Sequence, residues 1–543
     1  MVYDAAACAL DARSTACIDS GDTAYLLVCT ALVWFMTPGL AFFYGGLVRE
    51  KNFLNTLYMN IAAIGIITIQ FVWFGYSFAF SWYSKGFGDG AWVGLRDLGH
   101  GPNPDYATTI PHGIYSFYQL TFAIVTPAII SGAVVERISF RAWIVFIFLW
   151  ATLVYDPVAH WVWSAKTTSS GLELGFLRDL GALDFAGGTV VHMASGFSAL
   201  TACILCGPRR NVDLRSPPDG HNVPMFVLGT VILWFVDFHH ASIGWFGFNG
   251  GSALAANDIA AQAMYNTHIS AATAFSTWMV IDAVTKRAVT LVGPLSGAIV
   301  GLVVITPCSG YIHFQSALAI GCIASLVAWP LVYLKARYMA GRWFMKYVDD
   351  SLDVFVCHGV GGTLGAFLLG WFASKDANPL GADGVLFGGG ELLGWQIIAI
   401  LLTIAISVVN TAAILLFIRF TIGIRYSRAE EDKGVDVVAH RQVAYRFEDD
   451  QIDDALADGD DADKSMLDRL DEWNILNLTV GQYNKMFGKK QDTQKDTEMK
   501  EVNGDDDWER KKGKENDDDN DDRSQIVFGG RFGQASYAVN KEV

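Results

Sequence analysis

Charge is what this 543-residue chain has least of. Asp, Glu, Lys and Arg together make up 17% of it, against roughly 25% in ordinary soluble domains. Hydrophobic residues reach 52%, and the mean hydropathy is +0.30. That excludes a soluble globular domain as the main body and points to a polytopic membrane protein. Of the eight cysteines only Cys203 and Cys206 stand at CxxC spacing, within an apolar run and without a second such pair, which disfavours the simplest zinc and thioredoxin-like readings. Cys29, Cys203, Cys206, Cys308, Cys322 and Cys357 fall in or near apolar runs, where a free thiol behaves as a small apolar group. Cys8 and Cys17 lie near the N-terminus. Free thiols and a disulfide, within or between subunits, are both open for them. The opening MVYDAAACALDARSTACIDSGD has neither a basic stretch nor a sustained apolar core, so it does not read as a secretory signal peptide.

The charge that is present is uneven. Residues 425–543 hold 19 Lys and Arg against 31 Asp and Glu, a balance of −12 in the total of −16. An acidic tail of this kind argues against nucleic acid or anionic lipid as its partner. Residues 448–543 carry runs such as EDDQIDD and KENDDDNDDR and are expected to be largely disordered, with a short amphipathic helix conceivable near 464–487.

A membrane-spanning helix needs about 20 mostly apolar residues. Eleven segments qualify, near 24–47, 54–81, 113–135, 140–162, 185–206, 224–252, 259–282, 289–306, 315–334, 351–373 and 394–419. The expected fold class is therefore an all-α polytopic membrane protein of eleven transmembrane helices. With the N-terminus placed outside, cytoplasmic segments hold 14 basic residues and outer segments 6. The positive-inside rule thus favours N-out, C-in. The expected division is an outer segment at 1–22, a membrane domain at 23–420, a docking segment at 421–447 and the acidic tail at 448–543.

Two of these spans carry ionisable groups that hydrocarbon disfavours, which usually means that they face a bundle interior or a cavity. The fifth reads DFAGGTVVHMASG (184–196), with Asp184 and His192. The tenth holds Asp353, His358 and a second GGT at 361–363. They are five spans apart, so the halves would have opposite topology, as in inverted repeats that place a site near the midplane. Neutral imidazole donates through one nitrogen and accepts through the other. Two in contact would form a polar rail in an apolar tube, suited to a small neutral molecule that does both. The competing reading is two packing histidines. Metal binding is less favoured, because no carboxylate or cysteine stands at ligand spacing on the same helix face. Asp184 precedes His192 by eight residues, about 12 Å along a helix. A helix N-cap is its plain role, and a lure for cations near a pore mouth is the sharper one.

At these residues the chain resembles a known family. DFAGGTVVHMASGFSALTACILCGPR (184–209) is similar to the signature of the ammonium transporters, the Amt/Mep/Rh family. So are TPGLAFFYGGLVREKN (37–52), YQLTFAIVTPAIISGAVVERI (118–138), AHWVW (159–163), GWFGFNGGS (244–252) and DSLDVFVCHGVGGTLGA (350–366). The match runs in family order from about 22 to 447 and lies nearer the Amt branch than Rh. The resemblance implies a homotrimer in the plasma membrane with one pore per subunit. Each pore would run between inverted halves of five spans, with the eleventh helix peripheral. It also implies that Trp163 and Ser252 recruit ammonium at the outer mouth. Phe122 and Phe248 would form an aromatic gate, His192 and His358 the twin pore histidines, and Asp184 the acid near the site. No cofactor and no metal are implied. The partners implied are ammonium or ammonia, with methylammonium as an analogue, the lipid bilayer and cytoplasmic regulators of the tail.

Physical chemistry is consistent with those roles. A cation over an indole face gains roughly 0.5–2 kcal/mol. A dry apolar tube opposes a bare ion, and potassium has no proton to shed. Taken singly, Trp163 would read as an interfacial belt residue and Phe122 and Phe248 as core aromatics. Gln119 could orient the vestibule. Asp349, Asp350 and Asp353 read as caps and helix contacts, and Pro38-Gly39 and Gly45-Gly46 as sites of close packing. Two rival functions remain: an ammonium sensor signalling through its tail, and a membrane metalloenzyme using His192, His358 and nearby acids.

The chain also departs from the family pattern. Where LWF of span six usually runs straight into GWFGFN, residues 236–243 (VDFHHASI) intervene. Kept helical, eight extra residues add about 12 Å and rotate the remainder of the span by about 80°. A retained intron fragment and a genuine loop at the pore mouth both account for them. Val356 stands where glycine is more usual. Val438 stands where plant relatives often carry a phosphorylated Thr, so that control would be absent, with Ser427 a weak substitute.

Overall fold

The computed structural model describes residues 8–9, 11–212, 220–234, 244–335 and 348–445. The insert at 236–243, the acidic tail at 448–543 and the helix conceived at 464–487 lie outside these. Among the described residues, eight helices are long and apolar enough to cross a bilayer. They are α1 (Ser20–Leu47), α2 (Glu50–Phe80), α3 (His112–Val134), α4 (Phe140–Trp163), α5 (Gly188–Cys206), α10 (Phe314–Leu334), α11 (Phe355–Phe372) and α12 (Glu391–Thr421). The polytopic membrane reading thus holds. The other expected spans are helical but differ in kind. Span six is divided into α6 (Val223–Trp234) and α7 (Trp245–Gly251), α8 (Asp258–Thr285) is long but more polar, and α9 (Val292–Ile305) is short. A small hairpin, β1 (Ala165–Thr168) with β2 (Gly171–Leu174), comes after α4.

Side chains at the helix starts supply the hydrogen bonds that the first turn lacks. Asp19 caps α1, Ser139 caps α4 and Asn257 caps α8. Cys8 and Cys17 form a disulfide just ahead of α1, which decides between the readings the sequence left open.

α5 and α11 cross almost backbone to backbone. A Cβ added at Gly196 would lie 2.0 Å from the Gly359 amide nitrogen, and one at Gly362 would lie 2.7 Å from the Gly188 carbonyl oxygen. Small residues permit such crossings in bilayers, where close van der Waals contact drives helix association. α3 is buried along most of its length, and α12 presents much of its surface outward.

At one end of the bundle sits Arg137, which is fully buried. Its guanidinium donates to the carbonyls of Gly207 (2.7 Å), Val135 (3.2 Å), Ala133 (2.7 Å) and Asp349 (2.5 Å) and to Ser351 Oγ (2.8 Å). One cation thereby satisfies the chain ends of several helices. Beside it Arg209 pairs with Asp349 at 2.9 Å. Burial raises the Asp349 carboxyl, but Arg137 and Arg209 outweigh it and hold the group at about 2.

The segment after α12 packs against this same end. Asp436 accepts from the backbone of Leu54 (2.9 Å) and Asn55 (2.8 Å), at the start of α2. Lys51 Nζ donates to the Glu431 carbonyl, His440 meets Asn55 at 3.0 Å, and Tyr445 meets His221 at 3.0 Å. Ser427 caps a short helix, Arg428–Lys433, in a reciprocal box with Glu430.

Candidate functional site: an apolar passage with twin histidines

His192 and His358 each sit in a wide turn at the start of a helix. The His192 amide donates to the Gly187 carbonyl five residues back, at 3.0 Å. Both turns, Gly188–Met193 and Phe355–Val360, are π-helical, a distortion common at functional sites. Nothing in the sequence pattern marks it. The glycine crossing brings the edges of the two imidazoles together, with Nδ1 to Nδ1 at 3.1 Å and both rings buried. At that distance one Nδ1 carries a hydrogen and the other accepts it.

Acids hold both helix starts. Asp184 accepts from the amides of Gly187 (2.7 Å), Gly188 (2.8 Å) and Thr189 (2.7 Å), and from the Thr189 hydroxyl. Asp350 accepts from Val354 (3.0 Å) and Phe355 (2.7 Å). Each acid precedes its histidine by eight residues. This corrects the repeat suggested by the GGT motifs, which paired Asp184 with Asp353. Asp353 instead pairs with Lys335 and adopts a left-handed backbone, φ 57°. The carboxylate of Asp184 is thus committed to its helix, while its backbone carbonyl accepts from Trp163 Nε1 at 3.1 Å. Asp184→Ala would orphan these buried donors, and unfolding of the purified protein is expected about 3 kcal/mol more easily, measured by thermal denaturation.

On one side of the histidines, Phe122 and Phe248 pack with ring centroids 4.3 Å apart, inclined at 34°. The Trp163 indole stands edge-on to Phe122 at 5.8 Å. Ser252 Oγ donates to the Phe248 carbonyl at 2.9 Å, which leaves its lone pairs able to accept. Tyr118, one turn before Phe122, joins the site without having stood out in the sequence. Its hydroxyl lies 2.9 and 2.8 Å from the carbonyls of Gly247 and Phe248 and 3.4 Å from Ser252 Oγ. The Tyr118–Phe122 spacing on one face of α3 is the signal that could have found it.

These contacts bear on the insert. Gly244 has φ 74°, and a Cβ there would lie 2.4 Å from the Leu233 carbonyl oxygen. The two flanks of 236–243 therefore meet, and α7 keeps Phe248 and Ser252 against α3. The shift expected of eight added helical residues does not arise.

Phe248 and both histidines border a cavity of about 20 Å3. Its walls include Leu40, Val125, Ile129, Val191, Phe248 and Ile299, with His192 and His358 as its polar groups. That is room for about one water-sized molecule. Beyond His358 a second cavity of about 420 Å3 opens, bounded by Leu47, Trp278, Asp353 and Cys357 among others. No group of three His, Cys, Asp or Glu able to hold a metal occurs among the described residues.

Residues 24–445 match the Ammonium Transporter Family. The chain belongs to the ammonium transporter family. It is 40% identical over 427 residues to an ammonium transporter of Bacillus subtilis, covering 78% of this chain and 98% of that protein. To one of Aquifex aeolicus it is 42% identical, covering 80% and 95%. The crystal structure of Saccharomyces cerevisiae Mep2 superposes with a TM-score of 0.68 at 32% identity, covering 77% of this chain and 91% of that one. A structure titled Sensor Amt Protein reaches 0.67 at 27% identity, covering 77% and 98%. Residues 446–543, which include the whole acidic tail, fall outside the family match.

Proposed function

We propose that this family member moves ammonium across the plasma membrane, from outside to the cytoplasm. The observation that carries the reading is the small apolar cavity bordered by Phe248, itself packed on Phe122, and by the paired histidines. A neutral molecule of ammonia's size fits it, and a hydrated ion does not. The proposed arrangement is a homotrimer of eleven-span subunits in inverted halves of five, N-terminus outside, with α12 peripheral. The segment at 421–447 would be cytoplasmic and dock on the bundle, and the tail at 448–543 would be free to meet regulators.

In this reading NH4+ settles beside the Trp163 indole and donates to the free lone pairs of Ser252. A cation–π contact there contributes roughly 0.5–2 kcal/mol. Phe122 and Phe248 exclude the charged form, because nothing in the apolar passage replaces its hydration. Once NH4+ has given its proton to water at the outer mouth, NH3 passes and exchanges hydrogen bonds with His192 and then His358. Asp184 acts by positioning, since it fixes both the His192 turn and the Trp163 indole. Methylammonium is an expected substrate analogue. The chemistry is transport, with no bond made or broken in a substrate beyond proton transfer.

A receptor is the second reading, favoured by the likeness to the sensor structure and by the long acidic tail. Ammonium-evoked current in oocytes, with and without residues 236–243, separates the cases. Saturable uptake of labelled methylammonium is expected from both forms, because the flanks of the insert already meet, and a current accompanies it only where the shed proton crosses as well. No current and no uptake of labelled methylammonium from either form would reject transport in favour of the receptor.

A further inference from the structure

His192 is held by more than its partner histidine. The Trp245 indole lies nearly parallel to the His192 imidazole, centroids 5.5 Å apart and 22° between planes. Phe248 lies nearly parallel as well, at 6.0 Å and 23°. These two rings flank the imidazole whose Nδ1 meets His358. Trp245 is buried, and its Nε1 donates to Thr306 Oγ1 at 2.8 Å. Thr306 is fully buried too, and its hydroxyl hydrogen goes to the Leu302 carbonyl at 2.8 Å. The oxygen therefore meets the indole as an acceptor with a fixed direction. The next residue, Pro307, packs on Gly188 at the start of the His192 turn, where a Cβ would come within 2.6 Å of it. Its carbonyl accepts from Phe185 at 3.2 Å. The Thr306–Pro307 corner thus touches both the ring that faces His192 and the turn that carries it.

We propose that Thr306 is a positioning residue for the passage: by anchoring Trp245 it sets the plane of His192 and with it the shared imidazole bond. This deepens the transport reading and rests on it. Thr306 itself does not line the small cavity, whereas Trp245, which it anchors, does.

The test compares Thr306→Val, which keeps the shape and removes the acceptor, with Thr306→Ser, which keeps the acceptor. In labelled methylammonium uptake, Val is expected to lower the maximal rate roughly five- to tenfold, as an orphaned buried donor implies. KM should stay within about twofold, because the recruitment residues are untouched. Ser should restore the rate to within about twofold. A lowered rate that Ser fails to restore, or a change confined to KM, would overturn the proposal. A structure of purified Thr306→Val, solved by electron cryomicroscopy, reads the ring geometry without relying on transport. Loss of the Trp245–His192 stacking is expected, and unchanged rings would overturn the proposal. Failure of the wild-type chain to transport would count against the transport reading alone.

Discussion

With His192 replaced by alanine, uptake of labelled methylammonium is expected to fall about tenfold or more. The substitution removes one of the two polar groups in the passage and leaves the Nδ1 of His358 without its 3.1 Å partner. An unmatched buried polar atom costs about 1–3 kcal/mol, and about 1.4 kcal/mol is a factor of ten. His358→Ala should produce a loss of similar size. The double variant should lose little more than either single one, because the pair works as a unit. Removing an imidazole also widens a cavity now sized for one small molecule, so water and then ions gain entry. A rise in potassium-carried current is therefore the expected companion of the lost uptake. Uptake and selectivity left intact in both single variants would mean that the histidines are packing residues.

The second large effect is expected from one methyl group. Gly196→Ala would place a Cβ 2.0 Å from the Gly359 nitrogen and 2.3 Å from its Cα. Both are backbone atoms, so no side chain can turn away, and α5 and α11 must separate by more than about 1 Å. The histidines sit on these two helices, and their contact does not survive that movement. Transport is expected to be abolished, with a clear fall in the thermal unfolding temperature of the purified protein. Gly65→Ala is the matched control, since a Cβ there meets nothing within 4 Å, and it should be nearly silent. Normal transport by Gly196→Ala would show that the crossing is not what sets the histidine pair.

Much of this is legible in the residues themselves. Scarce charge and long apolar runs announce a polytopic membrane protein, because hydrocarbon tolerates little else. The motifs around His192, His358, Phe122 and Phe248 name the family, and these four residues lie close together, as two ring pairs joined by the His192–Phe248 contact. Asp184 is readable as a cap from its place ahead of an apolar run.

Other features depend on contacts between segments far apart in the chain. The pairing of His192 with His358 spans 166 residues and exists because two glycines let their helices touch. The symmetry of the two acids escapes a match by motif. The GGT motifs lie on opposite sides of their histidines, so they give no common register, and matching each histidine to a nearby acid picks Asp353 where the fold uses Asp350. Tyr118, Trp245 and Thr306 look like ordinary core residues until the fold sets a hydroxyl beside a carbonyl or one ring flat against another. The insert at 236–243 looks disruptive only under the assumption that added residues extend a helix. The positive φ of Gly244 lets the flanks close on each other, and the sequence names the glycine without revealing its partner. Composition and periodicity determine which segments enter the membrane. Side-chain directions at each crossing, which depend on partners distant in sequence, decided what those segments enclose.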